Sequence, residues 1–193
     1  MIDKEPNMTD QLAWSTPFPN PEITIRSHVL PLVTQEVVAE TLADVQRDKE
    51  KYIPSAFSTL IAENKLLARK IDTTVEMLAD GDKRQLGYLS IISIVTYDML
   101  RNQAQSDHVK LPKVTQSTIS AISEQLKKPD SMFVADTLQI FLAENPFLLK
   151  NAVEMIKRVG QQPDMRGDTQ LLLAVIYGSL KQQAEIDRMA VGH

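Results

Sequence analysis

The stretch Lys83-Arg84-Gln85-Leu86-Gly87-Tyr88-Leu89-Ser90-Ile91-Ile92-Ser93-Ile94-Val95-Thr96-Tyr97-Asp98-Met99-Leu100-Arg101-Asn102-Gln103 decides the fold. Leu86, Leu89, Ile91, Ile92, Ile94, Val95, Met99 and Leu100 leave no wide polar face through its middle, and a helix of that kind has to be surrounded by other elements. Its uncharged run, Gln85 to Tyr97, is interrupted by Gly87, Ser90, Ser93 and Thr96 and falls short of the roughly 20 apolar residues of a membrane span. The stretch therefore reads as the buried centre of a helical bundle. Asp80-Gly81-Asp82 precedes it, and Asp82 with Gln85 has the spacing of a capping box.

Helical spacing continues on both sides. Upstream, Thr34 caps a helix to about Tyr52 with Val38, Leu42 and Val45 on one face, and Pro54 suits the first turn of a second helix to about Ala79. Downstream, Thr115 caps a shorter helix carrying Ile119, Ile122 and Leu126; Pro129-Asp130 opens another with Val134, Leu138 and Phe141. Asn145-Pro146 opens the next, ending at Gly160, and Asp168 caps a last helix to about Met189. The starts do not recur at a fixed period, and no tetratricopeptide or ankyrin pattern is present. The expected fold is all-α: an irregular bundle of about seven helices around the central apolar helix 83–103, with an extended Pro-rich N-terminal arm. The domain reading is an arm at 1–33 and a single helical domain at 34–193; an α-solenoid of hairpins has the same helix count.

Five of the ten prolines (Pro6, Pro17, Pro19, Pro21, Pro31) lie in the arm, where Pro17-Phe18-Pro19-Asn20-Pro21 forces extended or turn backbone. From Glu22 to His28 the pattern alternates like an edge strand. The chain's one Trp, Trp14, stands here with Phe18, Ile23 and Ile25. Solvated tails are poor in such side chains, so these four are the expected partner-binding residues, docking on the chain's own body or on a neighbouring subunit.

The net charge of −4 weighs against nucleic acid and anionic lipid as partners. Without cysteine the chain has no disulfide framework, thiolate nucleophile or Cys-based metal site. The opening Met1-Ile2-Asp3-Lys4-Glu5-Pro6 lacks the apolar run of an export signal, which makes the cytoplasm the expected location. The three histidines (His28, His108, His193) fall outside the expected helices, so neither Glu-x-x-His di-iron motifs nor His-Glu-x-x-His is present. Phosphate-cradling glycine loops and the Gly-x-Ser-x-Gly elbow are missing as well. No catalytic residue, metal or cofactor is assigned. Asp98 is the one carboxylate placed to be buried, and Arg101 at i+3 is its expected ion-pair partner.

The run Thr115-Gln116-Ser117-Thr118-Ile119-Ser120 resembles the start of the recognition helix in helix-turn-helix repressors. That resemblance implies base contacts from Thr115, Gln116 and Ser117 and phosphate contacts from Lys127 and Lys128. A linker of about eight residues with Pro112 replaces the short turn of that motif, and no arginine occurs from Asn102 to Lys157, a stretch that includes the whole helix at 115–127. The leading expectation is a non-catalytic scaffold, adaptor or other interaction protein that self-associates as a homo-oligomer, with the arm as docking element. The alternatives are a helix-turn-helix-like DNA-binding regulator using the helix at 115–127, and a small-molecule-binding protein or enzyme with a cleft between the helices that carry Gly87, Ser90 and Ser93 and Gly178 and Ser179.

Overall fold

The structure, a computed structural model, describes residues 30–128, 130–159 and 165–191; the arm residues Trp14, Phe18, Ile23 and Ile25 and the alternating segment to His28 lie outside them. Every regular element among the described residues is helical: α1 (Gln35–Arg47), α2 (Lys49–Glu63), α3 (Lys65–Ala79), α4 (Lys83–Ser106), α5 (Gln116–Lys127), α6 (Phe133–Glu144), α7 (Pro146–Val159) and α8 (Met165–Val191). None of them is long and apolar enough to cross a membrane.

Helix α4 is the surrounded element that its sequence requires. Ile92 through Leu100 are all buried, and α1, α2, α3, α7 and α8 pack around it. It shares the centre with α8, whose Leu172–Ile176, Tyr177, Ser179 and Leu180 are equally buried. Because α1 reaches α7 and α3 reaches α5, the chain closes into a bundle instead of extending as a solenoid.

The first two expected helices are divided differently in the structure. One helix runs through Pro54, which lies near the start of α2 where loss of one N–H removes a single bond, and the breaks fall at Asp48 and Asn64. Asp48 ends α1 and caps α2 by accepting from Lys51 N at 3.1 Å. Asn64 interrupts because its side chain is needed elsewhere in the fold. Three caps also differ. Asp168, expected to cap the last helix, lies within the first turn of α8 and accepts from Gln85 Nε2, because the helix already begins at Met165. Asp82 accepts from Arg84 N and Gln85 N, but the Gln85 amide turns to Leu78 O and Asp168 instead of completing a capping box. Thr115 occupies the N-cap of α5 without capping it, its hydroxyl being bonded to Gln183.

The eight helices are two copies of one four-helix unit. Leu30-Pro31-Leu32-Val33-Thr34-Gln35 recurs as Leu111-Pro112-Lys113-Val114-Thr115-Gln116, and Ala62-Glu63-Asn64 recurs as Ala143-Glu144-Asn145, both 81 positions on (111 − 30, 143 − 62). Val95, Tyr97, Leu100, Gln103, Ala104 and Asp107 recur as Val175, Tyr177, Leu180, Gln183, Ala184 and Asp187, 80 positions on (175 − 95, 187 − 107). Thus α1–α4 correspond to α5–α8. A period this long, present twice, is not the short array period that the helix starts exclude.

Hydrogen bonds repeat with the sequence. Each unit begins with an extended strap, Leu30–Thr34 or Leu111–Thr115, whose Val33 or Val114 is buried. Val33 N donates to Asn145 Oδ1 at 2.7 Å, and Val114 N donates to Asn64 Oδ1 at 3.1 Å, so each strap is held by the other unit. Thr34 N donates to Gln103 Oε1 at 2.9 Å and Thr115 N to Gln183 Oε1 at 3.0 Å, within the same unit. Gln103 and Gln183 in turn donate to Asp107 and Asp187, one turn on, at 2.9 and 2.8 Å. Buried extended backbone needs such partners, since it has no ladder of its own. Asn64→Ala and Asn145→Ala each leave a buried strap N–H unpaired and are each expected to cost about 1–3 kcal/mol in urea denaturation; two units held reciprocally lose stability from either side, and a silent variant at one position would contradict the arrangement.

Candidate functional site

The densest polar cluster lies where α4 meets α1 and α2. Tyr52 OH donates to Asp98 Oδ2, Arg101 Nη1 to Asp98 Oδ1 at 3.3 Å, and Asn102 Nδ2 to Asp98 Oδ2 at 3.4 Å and Thr41 Oγ1 at 3.1 Å. Arg101 Nε also donates to Glu63 Oε1 at 3.0 Å, and Tyr97 OH lies 3.4 Å from Glu63 Oε2. The ion pair expected for Asp98 is therefore present. The Asp98 side chain is only 7% exposed, and three donors, one each from Tyr52 of α2 and Arg101 and Asn102 of α4, converge on it, so the carboxylate locks α2 onto α4.

The second unit keeps part of this cluster. Glu144 accepts from Tyr177 OH at 2.6 Å and from Lys181 Nζ at 2.6 Å, matching Glu63 with Tyr97 and Arg101. Gly178 stands where the first unit has Asp98, and Phe133 where it has Tyr52. A Cβ at Gly178 would lie 2.8 Å from Phe133 Cζ, so the bare backbone is what admits the ring. One unit thus joins its second and fourth helices by a hydroxyl–carboxylate bond, the other by a ring on a glycine. Phe141, at the position of Leu60, stacks on Tyr177 with centroids 4.2 Å apart.

Three phenols are held protonated. Burial, then the bond to Asp98, pushes Tyr52 above its ordinary value; burial and the Glu63 charge do so for Tyr97; burial and the bond to Glu144 do so for Tyr177. At the α3–α5 contact, Lys70 Nζ donates to Ser123 Oγ at 3.1 Å, and burial followed by the Lys127 charge lowers its pKa.

The residues of the DNA-binding alternative fall on the outer start and end of α5. Thr115 and Thr118 direct their hydroxyls at Gln183 Oε1 (2.9 and 2.6 Å), Thr118 is fully buried, and Gln116 and Ser117 are exposed. Lys127 pairs with Glu124 at 3.0 Å, and Lys128 is exposed. His108 ends α4 in a left-handed conformation (φ 56°). Of the small residues expected to line a cleft, Gly178 is covered by Phe133 of α6, and Ser93 donates back to Leu89 O at 2.6 Å. Among the described residues no group of three or more His, Asp or Glu is placed to hold a metal ion. Asn64, Gln103 and Gln183 carry the fold without a signal in the helical pattern, and Asn145 reads there only as a helix start; aligning the two Leu-Pro-x-Val-Thr-Gln segments and the residues that follow them is the signal that finds all four.

Comparison of the chain with protein-family models, with curated proteins and with solved structures gives no match. The three phenols set a pH dependence. Each binds its proton more tightly folded than unfolded, so their contribution is fully present below the ordinary value of 10.0 and declines as pH rises above it. The urea midpoint is expected to fall between about pH 10 and about pH 12, and Tyr97→Phe with Tyr177→Phe to flatten that fall; an equally steep fall in the double variant would contradict the assignment.

Proposed function

We propose that this chain is a non-catalytic helical interaction protein of the cytoplasm that self-associates, with the segment before Leu30 as its docking element. The observation that supports this reading is the way the arm is rooted. Leu30 and Val33 are 3% and 0% exposed, and Asn145 and Gln103 hold the two backbone N–H groups that follow Leu32. The part of the chain that carries Trp14, Phe18, Ile23 and Ile25 therefore joins the described body at a fixed point, Leu30. Leu32 is 45% exposed at that point, and Leu142 and Phe147, on either side of Asn145 in the chain, are 38% and 45% exposed. Apolar side chains exposed at the root of an apolar arm favour contact with another apolar surface. The second strap has Lys113 in place of Leu32, so the apolar exit belongs to the first unit alone.

Because Leu30 and Val33 belong to the core, the informative truncation stops at residue 29. Removal of residues 1–29 is expected to lower the mass measured by light scattering while the helical circular dichroism is retained. Replacing Trp14 and Phe18 by alanine should act in the same direction. An unchanged mass in both variants would remove the arm as an assembly element.

A further inference from the structure

The boundary between the two units has the form of a homodimer interface. Its contacts are reciprocal: α1 on α7 against α5 on α3, α4 on α7 against α8 on α3, and α4 on α8 across the middle. The strap bonds obey the same exchange, Val33 to Asn145 and Val114 to Asn64. In an isologous two-fold interface residue i meets residue j and j meets i, which is the pattern here within one chain.

What makes the pairing intramolecular is a short connector, residues 107–110, between the end of α4 and the second strap. Its backbone bonds return to α4: Asp107 N to Gln103 O at 2.9 Å, His108 N to Gln105 O at 3.1 Å and Val109 N to Ala104 O at 2.8 Å. This is a Schellman stop, and His108 takes its left-handed position where glycine is the usual occupant. A non-glycine residue there costs roughly 1–2 kcal/mol. These three connector bonds thus hold α4's end and do not cross the boundary.

We propose that this boundary accepts the complementary unit of a second copy of the chain, so that two chains exchange units and rebuild the Val33–Asn145 and Val114–Asn64 strap bonds between them. The proposal goes beyond the arm reading and does not rest on it. The covalent connector favours the closed form in dilute solution because it gives the two units a high effective concentration, about millimolar for a short linker. Shortening the connector until it cannot turn back removes that advantage and leaves the boundary intact.

The test uses the full chain, which is free of cysteine, with Lys70→Cys and Ser123→Cys placed on α3 and α5, one from each unit, where the native side chains meet across the boundary. A flexible bismaleimide then links the pair within one chain in the closed form and between chains in the exchanged form. Deleting residues 108–110 is expected to double the mass relative to a closed single chain, keep the helical signal and give cross-links between chains. With the connector intact, refolding from denaturant at rising protein concentration is expected to raise the interchain fraction. A shortened chain of single-chain mass or without helices contradicts the proposal, as does an intact chain whose link stays within the chain at every concentration. Association through the arm alone leaves the cross-link within the chain, so the two kinds of dimer are told apart.

Discussion

A buried asparagine amide holding the backbone of a distant strap is the constraint on which this structure depends. An extended Leu-Pro-x-Val-Thr segment packed into a helical core has N–H groups that no helix satisfies, and leaving one unpaired costs more than a made bond contributes. Asn64 meets this need by accepting from Val114 N while donating to Pro112 O at 2.9 Å; Asn145 accepts from Val33 N while donating to Tyr177 OH at 3.2 Å. Aiming the amide at a strap requires non-helical backbone at the asparagine, with φ near −140° at both positions. The break between the second and third helices of each unit, the course of each strap and the pairing of the units are therefore one feature seen at three scales.

Around that shared frame the two units have diverged. The first keeps a carboxylate, Asp98, where the second has Gly178, and the partner ring changes in step from Tyr52 to Phe133. Their fourth helices end differently as well. Helix α4 stops at a Schellman turn because a second strap must follow, whereas α8 continues through Arg188, the position equivalent to His108, to Val191. The arm precedes one strap only. Symmetry accounts for the frame, and the departures from it are where the units differ in packing and in the course of the chain.

The central helix was legible in the sequence because the all-apolar face of residues 86–100 has one physical solution, burial on every side. The prolines at 112 and 146 marked a linker and a helix start, and the Asp98–Arg101 pair followed from helical spacing. The breaks at Asp48 and Asn64 were hidden: apolar periodicity runs through both, and the force that kinks Asn64 comes from a strap 50 residues away. Helix α8 concealed its central place because Gly178, Ser179, Lys181 and Gln183 dilute its apolar pattern, although Tyr177 and Gln183 copy Tyr97 and Gln103. The duplication itself survives at the straps, at Ala-Glu-Asn and along the last turns of the fourth helices, the places where hydrogen bonds demand a particular side chain. Elsewhere packing tolerates exchange, as Leu60 for Phe141 shows.

Native-state hydrogen exchange at the amides of Val33 and Val114 tests the central claim most directly. Reciprocal straps that hold the units together open only when the units separate, so both amides are expected to exchange with the free energy of global unfolding, and to lose protection together in either Asn64→Ala or Asn145→Ala. Exchange of one amide by local opening, with the other left at the global value in both variants, would contradict it.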